Sequence, residues 1–262
     1  MTLVPFAELP DARIHYDIAG PANAPAILFS NSLGATLSMW DLQAAAFSDR
    51  FRVLRYDTRG HGQSSTTPGP YSIEQHSRDV LALLDALNLD RVHFCGLSMG
   101  GQIGQWLGLN AAPRLHKLIL CNTAAKIGNA ESWNARIEAV SKNGMKDVAI
   151  AVVARWFTPR FHEEHREVVA PILHALQTAN PAGYAASCAA VRDFDSRAIV
   201  SQIRVPTLVM SGAHDLATPP ADGRGLAGQI AGARFVELDA AHLSDIEDAA
   251  HFNRELDAFL SS

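Results

Sequence analysis

The segment around Ser98 constrains this chain more than any other. The apolar run Val92-His93-Phe94-Cys95-Gly96 leads straight into Gly96-Leu97-Ser98-Met99-Gly100-Gly101, and Gln102 to Asn110 then reads as a helix. A strand that turns into a helix within a few residues brings two backbones close together, so positions 96 and 100 need side chains no larger than glycine. The serine between them is held on a sharp, strained bend at a helix start, where the helix dipole favours negative charge. That is the setting of a nucleophile. A phosphate loop would use similar glycines, but no Gly-Lys-Ser/Thr follows.

The rest of the chain supports the same kind of sheet. Short apolar runs at Ala26–Ser30, Arg52–Tyr56, Lys117–Cys121, Thr207–Met210 and Arg234–Leu238 lack strict alternation, as strands covered on both faces do. Helical patterns lie between them. The clearest is Ser72 to Leu87, where Ile73, His76, Val80, Leu83, Leu84 and Leu87 share a face and Ser72 with Gln75 forms a capping signature. Alternating strands and helices predict a mostly parallel sheet with helices on both sides. Arg13–Asp17 adds an antiparallel edge strand. From 126 to 197 only helical patterns occur, firmest at Met145–Phe157 and Glu163–Gln177. The expected division is a core of 1–125 and 198–262 with a helical lid, 126–197, inserted late in the sheet.

Composition narrows the function classes. A 262-residue chain with 48% apolar residues buries enough core to need no metal or disulfide staple. The net charge of −5 argues against nucleic acid and against an anionic membrane surface. An anionic substrate would then need a local cation. Three cysteines (Cys95, Cys121 and Cys188) form no disulfide framework, and Cys95 and Cys121 read as buried small hydrophobes. Met1–Pro10 has no cationic start, no signal-peptide pattern is present, and no apolar run is long enough to span a bilayer. A cytoplasmic protein is expected.

A serine hydroxyl needs a base. His242 follows the Arg234–Leu238 strand after a short loop, which puts it at the carboxyl edge of the sheet, where open α/β sheets bind ligands. His61, in Arg59-Gly60-His61-Gly62, is the competitor and reads better as a packing or loop-ordering residue near the site; His214 and His251 read as surface residues. The base needs an acid to fix its tautomer. Asp215 follows the Thr207–Met210 strand, and the order serine, acid, histidine selects it over Asp239 and Asp245, which read as surface charges or helix starts. The expected oxyanion donors are the backbone N–H groups of Met99, after the nucleophile, and Leu33, in the loop after Ala26–Ser30.

Taken together, Tyr56-Asp57-Thr58-Arg59-Gly60-His61-Gly62, the Ser98 turn, Ser211-Gly212-Ala213-His214-Asp215 and Ala241-His242 resemble the α/β-hydrolase superfamily over nearly the whole chain. Within it, Phe29-Ser30-Asn31-Ser32-Leu33-Gly34, Ser38-Met39-Trp40-Asp41 and Trp156-Phe157-Thr158-Pro159 resemble the 3-oxoadipate enol-lactonases. Asn31-Ser32 stands where many superfamily members carry His-Gly. The resemblance implies attack of Ser98 on a lactone carbonyl, an enol leaving group, and an acyl-enzyme hydrolysed by water, with no cofactor and no metal. The implied partner is a small carboxylated lactone, so the lid should offer a cation. Lys126, Arg136, Arg155, Arg160 and Arg192 are available; Arg136 shares a helix face with Trp133, which could wall the pocket, and Ser32 could bond substrate. A carboxylesterase, a C–C bond hydrolase, a perhydrolase activity and a hydrolase-shaped binding protein are the competing readings. An elbow serine argues against dehalogenases and epoxide hydrolases, which place aspartate there.

Overall fold

A computed structural model describes residues 5–262, so Met1–Val4 of the N-terminal reading lie outside the described residues. Eight strands form one sheet: β1 (Phe6–Glu8), β2 (Arg13–Ala19), β3 (Ala26–Ser30), β4 (Arg52–Tyr56), β5 (Val92–Leu97), β6 (Leu115–Cys121), β7 (Thr207–Gly212) and β8 (Arg234–Leu238). Their order is β1-β2-β4-β3-β5-β6-β7-β8. Pairing is antiparallel at β1/β2 and β2/β4 and parallel from β4 to β8. β3, β5 and β7 are buried at every residue, which explains why they read as continuous apolar runs instead of alternating ones.

The order of three strands locates the site. From β3 the chain steps to β4 on one side, then crosses to β5 on the other side of β3. The connections after β3 and β5 therefore leave the carboxyl edge in opposite directions and open a crevice between them. Ser98 follows β5 and the Asn31–Gly34 loop follows β3, so both border that crevice.

Between β6 and β7 the described residues form only helices: Ala130–Asn143, Lys146–Val153, Pro159–Glu164, Arg166–Gln177 and Pro181–Asp193, with a short turn of helix at Val200–Gln202 before β7. Three sequence expectations need correction. β2 is not the edge strand, because β1 pairs outside it; β1 is three residues long and was too short to leave a pattern. The helix expected over Met145–Phe157 ends at Val153, since Trp156 and Phe157 turn away into the core. The helix expected over Glu163–Gln177 is two helices broken at His165, whose backbone leaves the helical region. The helix starting at Ser72 is capped as expected: Ser72 accepts a hydrogen bond from the Gln75 N–H at 3.0 Å.

Candidate active site

The turn after β5 has the strain its sequence requires. Ser98 sits at φ +59°, ψ −111°, a conformation that costs a non-glycine residue about 1–3 kcal/mol. The helix begins at Met99 directly, three residues earlier than the apolar pattern shows, so Ser98 is its N-cap. A Cβ on Gly96 would lie 2.1 Å from the Gly100 carbonyl oxygen, and one on Gly100 would lie 2.2 Å from the Ser30 carbonyl oxygen. Neither neighbour can yield, because both are backbone. The bend is locked from behind: the Ser98 N–H donates to the Cys121 carbonyl, and Thr123 Oγ1 donates to the Ser98 carbonyl.

His242 and Asp215 are brought together by the ends of β8 and β7. His242 Nδ1 lies 2.7 Å from Asp215 Oδ2, and both side chains are buried. Burial pushes the Asp215 carboxyl up, but His242, the Thr218 backbone N–H and the Asn122 amide outweigh it and hold it at about 2. An ionised carboxylate only accepts, so the ring nitrogen facing it carries a proton, and in the neutral ring this leaves the lone pair on Nε2. Asp215 also accepts from the N–H groups of Ala217 and Thr218 and from Thr218 Oγ1, which fixes the carboxylate plane. Ser98 and His242 line one chamber of ≈ 310 Å³. Their side chains share no direct hydrogen bond in this state, and such bonds commonly tighten only with substrate present.

Among the described residues, several backbone N–H groups around Ser98 are already taken by protein acceptors, while the two expected oxyanion donors are not. In the β3 loop the Ser32 N–H points at Met39 Sδ and the Gly34 N–H donates to His61 Nε2 at 2.9 Å. On the helix side the Gly100 N–H donates to the Asn31 carbonyl. The N–H groups of Leu33 and Met99 are left without a protein acceptor on either side of Ser98. His61 therefore orders the loop that carries Leu33. Burial holds its ring below the ordinary histidine range, and Nδ1 faces the Arg59 carbonyl, so the neutral tautomer accepts at Nε2.

Ser32, Leu33, Trp133, Arg136, Arg155 and Tyr184 are among the residues lining the chamber. The Arg136 guanidinium lies 4.7 Å from the Trp133 ring centroid, and Trp133 is fixed by donating to the Ile127 carbonyl. Three of the other candidate cations of the helical segment serve elsewhere. Lys126 and Arg192 tie the helical segment to itself, and Arg160 pairs with Glu164. Arg155 bonds the Leu216 carbonyl and lies between the chamber and a larger open cleft of ≈ 1180 Å³. That cleft touches Asp215 from outside but includes neither Ser98 nor His242, so the smaller chamber is the candidate site. Among the described residues no cluster of three or more His, Cys, Asp or Glu is placed to hold a metal ion.

A family profile described as alpha/beta hydrolase fold matches residues 25–148. A 3-oxoadipate enol-lactonase 2 of Acinetobacter baylyi is 44% identical over 95% of this chain and 94% of that protein. The chain belongs to the α/β-hydrolase family. Among solved α/β-hydrolases, the enol-lactonase from Burkholderia xenovorans LB400 matches it with a TM-score of 0.97 at 49% identity, covering 98% of this chain and 100% of that one. A hydrolase from Pseudomonas aeruginosa PA01 matches with the same TM-score at 44% identity, covering 100% and 99%.

Two residues of this α/β-hydrolase escaped the sequence reading. Asn122, at φ +44° just after β6, donates to Asp215 Oδ2 at 3.0 Å and to the Ala241 carbonyl, while its own oxygen accepts from Ser244. It joins the acid to the loop carrying the base. Glu247 accepts from the Ala241 N–H and from Thr158, so it straps the helical segment to that same loop. Both are single polar residues without a motif, and only the fold shows what they reach. Asp245 is corrected: it starts a helix, as one of its readings had it, but it is fully buried and not a surface charge. His214 is exposed and pairs with Asp239.

Proposed function

We propose that this chain is a serine hydrolase that opens the ring of 3-oxoadipate enol-lactone to give 3-oxoadipate. The observation that carries the reading is the joint lining of one small chamber by Ser98, by the His242 ring that Asp215 orients, and by the Arg136 guanidinium. Likeness to enol-lactonases over nearly the full chain supports the substrate.

In the proposed reaction His242 Nε2 takes the Ser98 proton as Oγ attacks the lactone carbonyl. The negative oxygen is received by the N–H groups of Leu33 and Met99. Each such donor lowers the barrier by about 3 kcal/mol. The ring C–O bond breaks, and the enol oxygen leaves with the proton returned by His242. The enol then tautomerises to a ketone. A water molecule, deprotonated by His242, attacks the acyl carbon, and Ser98 leaves with that proton. An enol is a better leaving group than an alkoxide, so acylation asks less of the imidazolium. No step requires a metal or cofactor.

Recognition is assigned to the helical segment 126–197, acting as a lid. Arg136 would pair with the lactone's free carboxylate, Trp133 would wall the ring, and Ser32 would contact it from the loop side. A carboxylate taken out of water needs such a partner. The three cysteines are free and buried, as suits a cytoplasmic enzyme. Steady-state kinetics on 3-oxoadipate enol-lactone and a panel of p-nitrophenyl esters test the proposal. The lactone is expected to have the higher kcat/KM. Much faster turnover of simple esters would make the protein a general esterase.

A further inference from the structure

Tyr184 is a buried phenol whose hydroxyl makes no hydrogen bond among the described residues. A buried donor without a partner is uncommon in a folded protein and marks a place where something else is received. Tyr184 also lines the chamber that holds Ser98 and His242.

Its placement is tightly determined. Tyr184 lies in the first turns of the helix Pro181–Asp193, whose start is capped by Asn180 bonding the N–H groups of Ala182 and Gly183. That helix cannot slide. Gly183 packs on the Gly60 backbone so closely that a Cβ there would lie 2.2 Å from the Gly60 oxygen, and the Tyr71 N–H donates to the Ala186 carbonyl. One edge of the Tyr184 ring rests against Gly34, where an added Cβ would come 2.9 Å from Cε2. Gly34 belongs to the loop that carries Leu33. Burial pushes the phenol's pKa up, Cys188 adds to that push, and the Arg136 guanidinium partly opposes it. The ring thus packs against the loop that carries Leu33 and lines the same chamber as Arg136, and burial keeps its hydroxyl protonated and able to donate.

We infer that the Tyr184 hydroxyl is a second donor for the carboxylate of the substrate, beside Arg136. A phenol oxygen can accept from the guanidinium while its proton goes to the carboxylate, so the two groups act as a pair. This rests on the proposed reading of the chamber as the site of a carboxylated acyl substrate. It adds a residue that sets preference for anionic over neutral acyl groups.

The test is Tyr184→Phe, assayed on two esters of equal reach, mono-4-nitrophenyl glutarate and 4-nitrophenyl pentanoate. These probes work whether or not the enol-lactone is the natural substrate, so failure of that reading is seen separately as failure of the wild-type protein to turn over the lactone. Because the hydroxyl is unpartnered in the free protein, the variant is expected to melt at the wild-type temperature or higher. KM for the glutarate ester is expected to rise about 10- to 100-fold, the effect of one hydrogen bond to a charged group, with kcat nearly unchanged and the pentanoate ester unaffected. An unchanged preference between the two esters would overturn the inference. So would a lower melting temperature with equal losses on both, since that is the signature of a packing role.

Discussion

Replacing Asp245 by asparagine should stabilise the protein in a way that depends on pH. The side chain is fully buried, and neither carboxylate oxygen has a hydrogen-bond partner among the described residues. Burial raises its pKa well above the ordinary range, and the nearby N–H groups of Asp245 and Ile246 offset this only in part. In the unfolded chain the carboxyl ionises near 4. Folding must therefore take up a proton at every pH between that value and the raised folded one. Stability attributable to this group is complete below about pH 4 and falls by about 1.4 kcal/mol for each further unit. Each pH unit inside that window corresponds to about 3–6 °C in Tm for a domain of this size. The asparagine side chain keeps the shape and cannot ionise. Urea unfolding of both proteins from pH 4 to pH 8 checks the reasoning. The variant's advantage should be near zero at pH 4 and grow with pH. Parallel stability curves would show that the carboxyl is solvated or paired in the folded protein.

Other expectations follow from the same geometry. Ser98→Ala should lower kcat by about 10⁴–10⁶ with the fold intact, as read by circular dichroism and steady-state kinetics. Asp215→Asn should cost roughly 10⁴, because the amide favours the wrong histidine tautomer; near-normal activity would give the acid role to another carboxylate. His61→Ala should lower kcat up to about 100-fold with little change in KM, since it frees the loop holding the Leu33 donor without touching substrate. Arg136→Ala should raise KM for a carboxylated lactone and spare neutral esters, and equal effects on both would remove it from recognition.

The core of the site was legible because its residues carry local signatures. Gly96, Ser98 and Gly100 announce a strand-to-helix turn, and His242 and Asp215 each follow an apolar run by a few residues. Chain order then separated Asp215 from Asp239 and Asp245, and the structure bonds Asp215 to His242. The loop-ordering reading of His61 was also within reach, since its glycine neighbours mark a turn near the crevice. Other features leave no local trace. Asn122 acts across 93 positions of sequence, and Glu247 reaches Thr158 across 89. The burial of Asp245 comes from packing of its helix on Gln43, which bonds its carbonyl from the far side of the fold. Helix ends within 126–197 were misjudged where tertiary packing of Trp156 and Phe157 overrode the helical pattern. Among the described residues no helix is long and apolar enough to cross a membrane.

Catalysis here depends on Ser98 becoming covalently acylated once His242 removes its proton. Treatment with a fluorophosphonate, followed by peptide mass spectrometry, examines that step alone. One phosphonyl group per chain is expected, located on Ser98, with near-complete loss of labelling in His242→Ala. Rapid turnover of the lactone by a protein that takes up no label, or takes it up at another residue, would contradict this.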